Sequence, residues 1–175
     1  SSAASDVYKR QVMGSAYMSK HMKIENPRVG LANIGSEPTK GREQELESYD
    51  RLSRAPINFI GNVEGRDIPL GGADVVVADG FTGNMILKTM EGMGKFFSMA
   101  LKDMFKSGVS SSVGALLMKN SLMAFKKKMD YTEYGGAPLL GTAKPVIKAH
   151  GASNENAFFN AIRQAKIFVE TKVID

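Results

Sequence analysis

The stretch DVVVADGFTGNMILK, Asp74 to Lys88, decides how the rest of the chain is read. Val75, Val76 and Val77 form a β-branched run suited to a strand buried on both faces, and Asp79-Gly80 interrupts it at once. Beyond the turn, Ile86, Met90, Met93, Phe97, Leu101 and Met104 recur at steps of three and four, which predicts a long helix starting within a few residues of the strand's end. Strand, tight glycine turn and helix follow one another directly.

A helix's first turn leaves backbone N–H groups unpaired and carries a partial positive charge, so an anion is held there by both. Gly80 and Gly83 allow close backbone approach, Thr82 adds a hydroxyl and Asn84 a short amide that can donate. Spacing alone is equally compatible with a plain strand-to-helix connection whose glycines serve only the turn.

Working outward, the 175 residues are one domain's worth of chain, and 43% hydrophobic residues suffice for a sizeable core. No apolar run approaches the roughly 18 residues of a membrane span, so the expectation is a soluble or peripheral protein. Cysteine is absent, which excludes disulfides, thiolate metal sites and a cysteine nucleophile within this chain. Two histidines, His21 and His150, are too few for a histidine-rich metal site. The net charge of +5 is carried by residues 95–130, where Lys95, Lys102, Lys106, Lys119, Lys126, Lys127 and Lys128 face only Asp103 and Asp130. Such a patch suits an anionic membrane or an acidic protein. Without interleaved aromatics or arginines, nucleic acid ranks last.

Residues 1–11 (SSAASDVYKRQ) show neither periodicity nor a secretory pattern and read as a tail or a scar of sequence assembly. Val12 to Ile24 predicts a short helix with Met13, Ala16, Tyr17 and Met18 as core contacts, ended before Asn26-Pro27. Arg28 to Gly35 predicts a strand, Thr39 to Ser53 a polar helix, and Ile57 to Glu64 the next strand, with Gly71-Gly72 leading into Asp74. Three strands with crossovers argue a parallel sheet, whose ligand site lies beyond the carboxyl ends of the strands. Those ends carry Asn33 to Lys40, Asn62 to Arg66, and Asp79 to Asn84.

After the long helix the chain loosens at Ser107 to Gly114, and a return helix carries Met118, Leu122, Phe125 and Met129. The expected result is a protruding helical hairpin at about 95–130 with a flexible tip. Val113, Leu116, Leu117 and Met118 lie beside Lys119 and near Lys126, Lys127 and Lys128, which suits an interfacial membrane contact. Packing in a dimer interface or on the body of the domain accounts for them equally well. Tyr131 to Gly141 is a glycine-rich return to the sheet, and Pro145 to Gly151 predicts its last strand, ending in Lys148 and His150. Ser153 is the expected N-cap of a closing helix whose packed face holds Phe158, Ala161, Ile162, Ala165, Phe168 and Val169.

The stretches INFIGNVEGRDI, ADVVVADGFTGNMILKTMEG, KKKMDYTEYGGAPLLG and PVIKAHGASNENAFFNAIRQA together closely resemble the acyl-ACP:phosphate acyltransferase (PlsX) family of bacterial phospholipid synthesis. The resemblance runs from about Val12 to the end, and family members are about twice as long, so residues 12–175 look like a carboxy-terminal part. It implies transfer of a fatty acyl group from acyl carrier protein to inorganic phosphate. It implies an α/β fold of the phosphotransacetylase and isocitrate-dehydrogenase-like type, no cofactor, a homodimer, and a cytoplasmic protein peripherally bound to the inner face of the cell membrane. In the family the hairpin tip serves that membrane contact. A phosphotransacetylase-like enzyme, a dehydrogenase-like domain and a noncatalytic membrane-associated module are the rivals. The absence of a G-x-G-x-x-G after a strand weakens the dehydrogenase.

Phosphate is already an anionic nucleophile and a thiolate a tolerable leaving group, so positioning and oxyanion donors are the main needs. Gly80, Phe81, Thr82, Gly83 and Asn84 are the first choices for phosphate. Lys148 and His150 add donors from the neighbouring strand end, His150 alternatively protonating the thiol. Asn62, Glu64, Arg66, Glu37 and Lys40 are possible site walls, Glu64 with Arg66 reading equally as a turn ion pair and Glu37 with Lys40 as a solvated loop. Asp79 either touches substrate or holds the turn through its own side chain. The lysine-rich hairpin also suits an acidic carrier protein.

Overall fold

The computed structural model describes residues 3–129, 136–149 and 154–171, with backbone alone for 3–8 and 126–129. Three parallel strands form the centre: β1 (Val29–Asn33), β2 (Phe59–Glu64) and β3 (Val75–Val77), in the order β2-β1-β3. β1 lies between the other two, and its residues Val29, Gly30, Leu31 and Ala32 are buried, as a continuous apolar run in a parallel strand requires. Gly30 sits where a Cβ would fall 2.3 Å from Val63 Cγ2, so only glycine permits this approach of β1 to β2. β2 carries one extra residue, since Val29 pairs with Phe59 but Gly30 with Gly61, and Gly61 absorbs the irregularity at φ +94°.

Helix α2 (Glu43–Ser53) forms the crossover from β1 to β2 and sends the fully buried Leu52 against Leu31 and Val77. Tyr49 meets Phe59 edge-on at 5.2 Å and closes the side of this cluster. Burial of a side chain the size of Leu52 contributes roughly 1.5–3 kcal/mol. α2 starts at Glu43, later than the sequence reading placed it, because Gly41 at φ +100° breaks any earlier helix and Arg42 is the N-cap. Helix α1 (Ala3–Lys20) packs on α2 and β3, and Gly14 permits close approach to Val75. It therefore begins within the residues expected as a tail and ends earlier than Ile24.

Helix α3 (Gly80–Lys106) confirms the long helix, but none of its 27 residues is buried. The hairpin differs from expectation at its tip: instead of a loose loop, Val109–Leu117 forms a helix, α4, followed by α5 (Lys119–Met129). The serines read as loosening elements bond the backbone locally. Ser112 Oγ donates toward the Phe105 and Gly108 carbonyls, and Ser107 Oγ to Met104 O at 2.8 Å, which stabilises the bend between α3 and α4.

Two further expectations are corrected. β4 (Ala137–Pro138) and β5 (Ile147–Lys148) pair with each other, antiparallel, as a separate two-stranded ribbon, so the last strand does not extend the parallel sheet. Helix α6 (Glu155–Glu170) buries Ala157, Asn160, Ala161 and Phe168, whereas Phe158, Ile162 and Val169 are exposed. It packs beside β5, and its carboxyl half meets α1: Phe168 lies 5.7 Å from the Tyr17 ring, and Gln164 Nε2 donates to Tyr17 Oη at 3.3 Å. The α6 N-cap is Asn154, whose side-chain oxygen accepts from Ala157 N; Ser153 lies outside the described residues. The described residues thus form an α/β fold around a three-stranded parallel sheet.

Candidate functional site

At the carboxyl end of β3 the chain turns straight into α3, and Asp79 makes the junction. Its backbone is extended (φ −64°, ψ 163°), as an N-cap requires, and Oδ1 accepts from the Phe81 and Thr82 N–H groups at 2.9 Å each. Oδ2 accepts from the Thr82 hydroxyl at 2.6 Å and from Arg42 Nη2 at 3.0 Å. The Thr82 hydroxyl and backbone N–H, with Arg42 and the Phe81 N–H, hold the Asp79 carboxyl down to about 2 against the opposing cost of burial. At neutral pH it is a permanent anion. It therefore organises the turn and cannot act there as a proton shuttle.

This capping changes what the turn offers. Phe81 and Thr82 donate to Asp79, and Gly83 N donates to Asp79 O at 2.9 Å. The Gly80 N–H and the exposed side chain of Asn84 are the donors left for an outside anion. Of the two roles open to Asp79 from sequence, the structure supplies the turn-holding one.

Arg42, which the sequence reading passed over, connects this turn to α2. Its backbone N–H donates to Glu45 Oε2 at 2.8 Å, its Nε to the same oxygen at 3.0 Å, and its Nη2 to Glu45 Oε1 and to Asp79 Oδ2. One guanidinium thus joins the carboxylates at the starts of two helices. Pairing with Glu45 first and Asp79 second raises the Arg42 pKa further above its ordinary range, while Arg42 pulls that of Glu45 down. A signal was present: Glu45 stands three residues after Arg42, the spacing at which a carboxylate reaches back to an N-cap N–H.

The loop between β1 and α2 is fastened beside this network. Asn33 Nδ2 donates to Lys40 O at 3.0 Å, while its Oδ1 accepts from Ile34 N. Asn62, buried on β2, donates from Nδ2 to Glu37 O at 2.7 Å. Strand register sets Asn33 beside Glu64 at the same carboxyl edge. Asn62 is therefore a loop anchor, and the Glu37 and Lys40 side chains form an exposed contact of 3.9 Å. Arg66 Nη2 donates to Glu64 Oε1 at 3.1 Å, the turn ion pair anticipated for those residues.

Lys148 is exposed on β5 and pairs through its backbone register with Ala137. Because β5 is outside the parallel sheet, it does not form the strand end next to the Gly80–Asn84 turn that the sequence reading supposed. His150 lies outside the described residues, as do the side chains of Lys126, Lys127 and Lys128. On the projection, Val113, Leu116, Leu117 and Met118 are all exposed, Leu117 by 83%, with Lys119 following directly. Among the described residues no helix is long and apolar enough to cross a membrane, and no group of three His, Asp or Glu is placed to hold a metal ion.

The chain is similar in sequence to known proteins over nearly its whole length. A phosphate acyltransferase of Thermoanaerobacter pseudethanolicus is 55% identical over 164 residues, 94% of this chain and 49% of that protein. One from Lysinibacillus sphaericus is 56% identical over 164 residues, covering 93% of this chain and 49% of its own length. One from Bacillus cereus is 51% identical over 168 residues, 96% of this chain and 51% of the relative. The chain spans about half the length of the curated relatives it matches. The model of the fatty acid synthesis protein family matches residues 2–175, and the chain belongs to that family.

Proposed function

We propose that this chain forms part of a phosphate acyltransferase that moves a fatty acyl group from the thioester of acyl carrier protein to inorganic phosphate, yielding acyl phosphate for phospholipid synthesis. The observation that carries the reading is sequence identity above 50%, sustained through nearly the whole chain, to proteins named phosphate acyltransferase. The rigid β3-to-α3 turn at the carboxyl edge of a parallel sheet supports it as a place to hold an anion.

In this reaction a phosphate oxygen attacks the thioester carbonyl carbon, the new C–O bond forms, the C–S bond breaks, and the carrier's thiolate leaves with the electron pair. Phosphate brings its own negative charge, so no strong base is required. The Gly80 N–H and the Asn84 amide hold phosphate oxygens, and Asp79 keeps the turn in shape through the bonds described above. Lys148 and His150 are candidates for the oxyanion and the departing sulfur from elsewhere in the assembled enzyme. The exposed apolar residues of α4 and the lysines around it serve peripheral membrane contact at the cytoplasmic face, or meet the acidic carrier. The active form is a homodimer.

The test is phosphate-dependent release of carrier-protein thiol from acyl carrier protein, measured with this chain alone and with the remaining half of a close relative supplied. Activity that appears only on complementation supports the reading; none in either arrangement removes it. In the active arrangement Asn84→Ala should lower turnover by about tenfold or more, the scale of losing one positioned donor, with the melting temperature unchanged. An unchanged rate excludes Asn84 from the phosphate contacts.

A further inference from the structure

The ion network at the starts of α2 and α3 poses an electrostatic problem for the proposed reaction. Asp79 places a full negative charge at the turn that is to accept phosphate, and Glu45 places a second nearby, its side chain only 11% exposed. Two carboxylates would repel an incoming phosphate. Arg42 is the cation joined to both. Its bonds use the backbone N–H, Nε and Nη2, so among the described residues Nη1 has no protein partner, and the side chain is 66% exposed. The guanidinium is held on one edge by two carboxylates and open to solvent on the other.

We propose that Arg42 is a positioning residue for phosphate at this edge: it fixes the Asp79 carboxylate in its capping orientation and offsets its charge, so that the turn starting at Gly80 accepts a second anion. The inference rests on the phosphate acyltransferase reading. Arginine suits the task because one rigid fork reaches two carboxylates at once. A lysine ammonium at the same place supplies the charge without the fork.

The experiment is a titration of this chain with inorganic phosphate, followed by the ¹⁵N and ¹H shifts of the Gly80 and Asn84 amides, in the native protein, Arg42→Gln and Arg42→Lys. The Asp79 carboxyl ¹³C shift is followed with pH in the same three proteins, and thermal melts establish that each is folded. Arg42→Gln is expected to weaken phosphate binding about five- to tenfold and raise the Asp79 midpoint above its native value of about 2. Arg42→Lys should recover part of the affinity. A native chain whose amides do not respond to phosphate overturns the placing of phosphate at this turn and the proposal with it, while the acyltransferase reading stands or falls with the complementation assay. A native response that Arg42→Gln leaves at the same strength overturns the proposal alone. Weakened binding with an unmoved Asp79 midpoint overturns the action through Asp79. Should Arg42→Gln not fold, Arg42→Lys decides: native affinity together with a native midpoint overturns the fork argument.

Discussion

Gly30 shows how one residue sets the spacing of the sheet that carries the site. It lies in the central strand, and an added Cβ would meet Val63 Cγ2 at 2.3 Å and Ala73 Cβ at 3.4 Å. Gly30→Ala should therefore destabilise the chain by about 1–3 kcal/mol in urea unfolding, and Val63→Ala in the same chain should return part of that loss by removing the clashing methyl groups. An unchanged midpoint for Gly30→Ala would mean the strands can part without cost. Asp79 and Arg42 teach a different lesson at the same scale. An Asp-Gly pair between a β-branched run and a helical repeat left Asp79 open to touching substrate or holding the turn, and its bonds to Phe81 and Thr82 N–H are those of an N-cap. Its partner Arg42 lies 37 residues away, and no local pattern names a contact of that separation.

At the scale of elements, helices were the most legible and their surroundings the least. The three-four repeat of Ile86 to Met104 foretold α3, yet a repeat states that a face is apolar and not what covers it. Met90, Met93, Phe97 and Met104 of that repeat stay at least 42% exposed. α6 makes the same point, since its small residues Ala157 and Ala161 go inward beside Phe168, while the larger Phe158 and Ile162 face out. α4 invites a direct test. Its Leu116 and Leu117, 71% and 83% exposed, are the side chains a membrane contact would use. Replacing both by Asp should reduce sedimentation with vesicles containing anionic lipid by about tenfold or more, because apolar burial is exchanged for two charges repelled by the headgroups. Retained binding would return these residues to a protein interface.

For the molecule as a whole, the paired carboxylates predict how stability follows pH. Asp79, Glu45 and Asp74 all ionise more readily in the folded chain, Asp79 through Thr82 and Arg42, Glu45 through Arg42, and Asp74 through Arg28. Below their unfolded values, near pH 4, the unfolded chain binds more protons, so the stabilisation present at neutral pH is lost as pH falls toward about 2. His21, stacked on Tyr17 at 4.8 Å, is lowered from 6.5 by burial and then by Lys23, so its contribution is complete above that pH and declines as acid charges the ring. Urea midpoints should therefore fall in two stages, and Asp79→Asn should flatten the acid stage. A profile level from pH 7 to 2.5 would contradict the ion network. Short-range chemistry was enough to read the strand, turn and helix around Asp79, the parallel pairing of the first strands and the family resemblance. Folding in three dimensions set the rest: Arg42 joins Glu45 to Asp79, β5 pairs with β4 away from the parallel sheet, and α6 buries its small-residue face. Each of these depends on which distant surfaces meet, and propensity, periodicity and capping signals act over a few residues of chain.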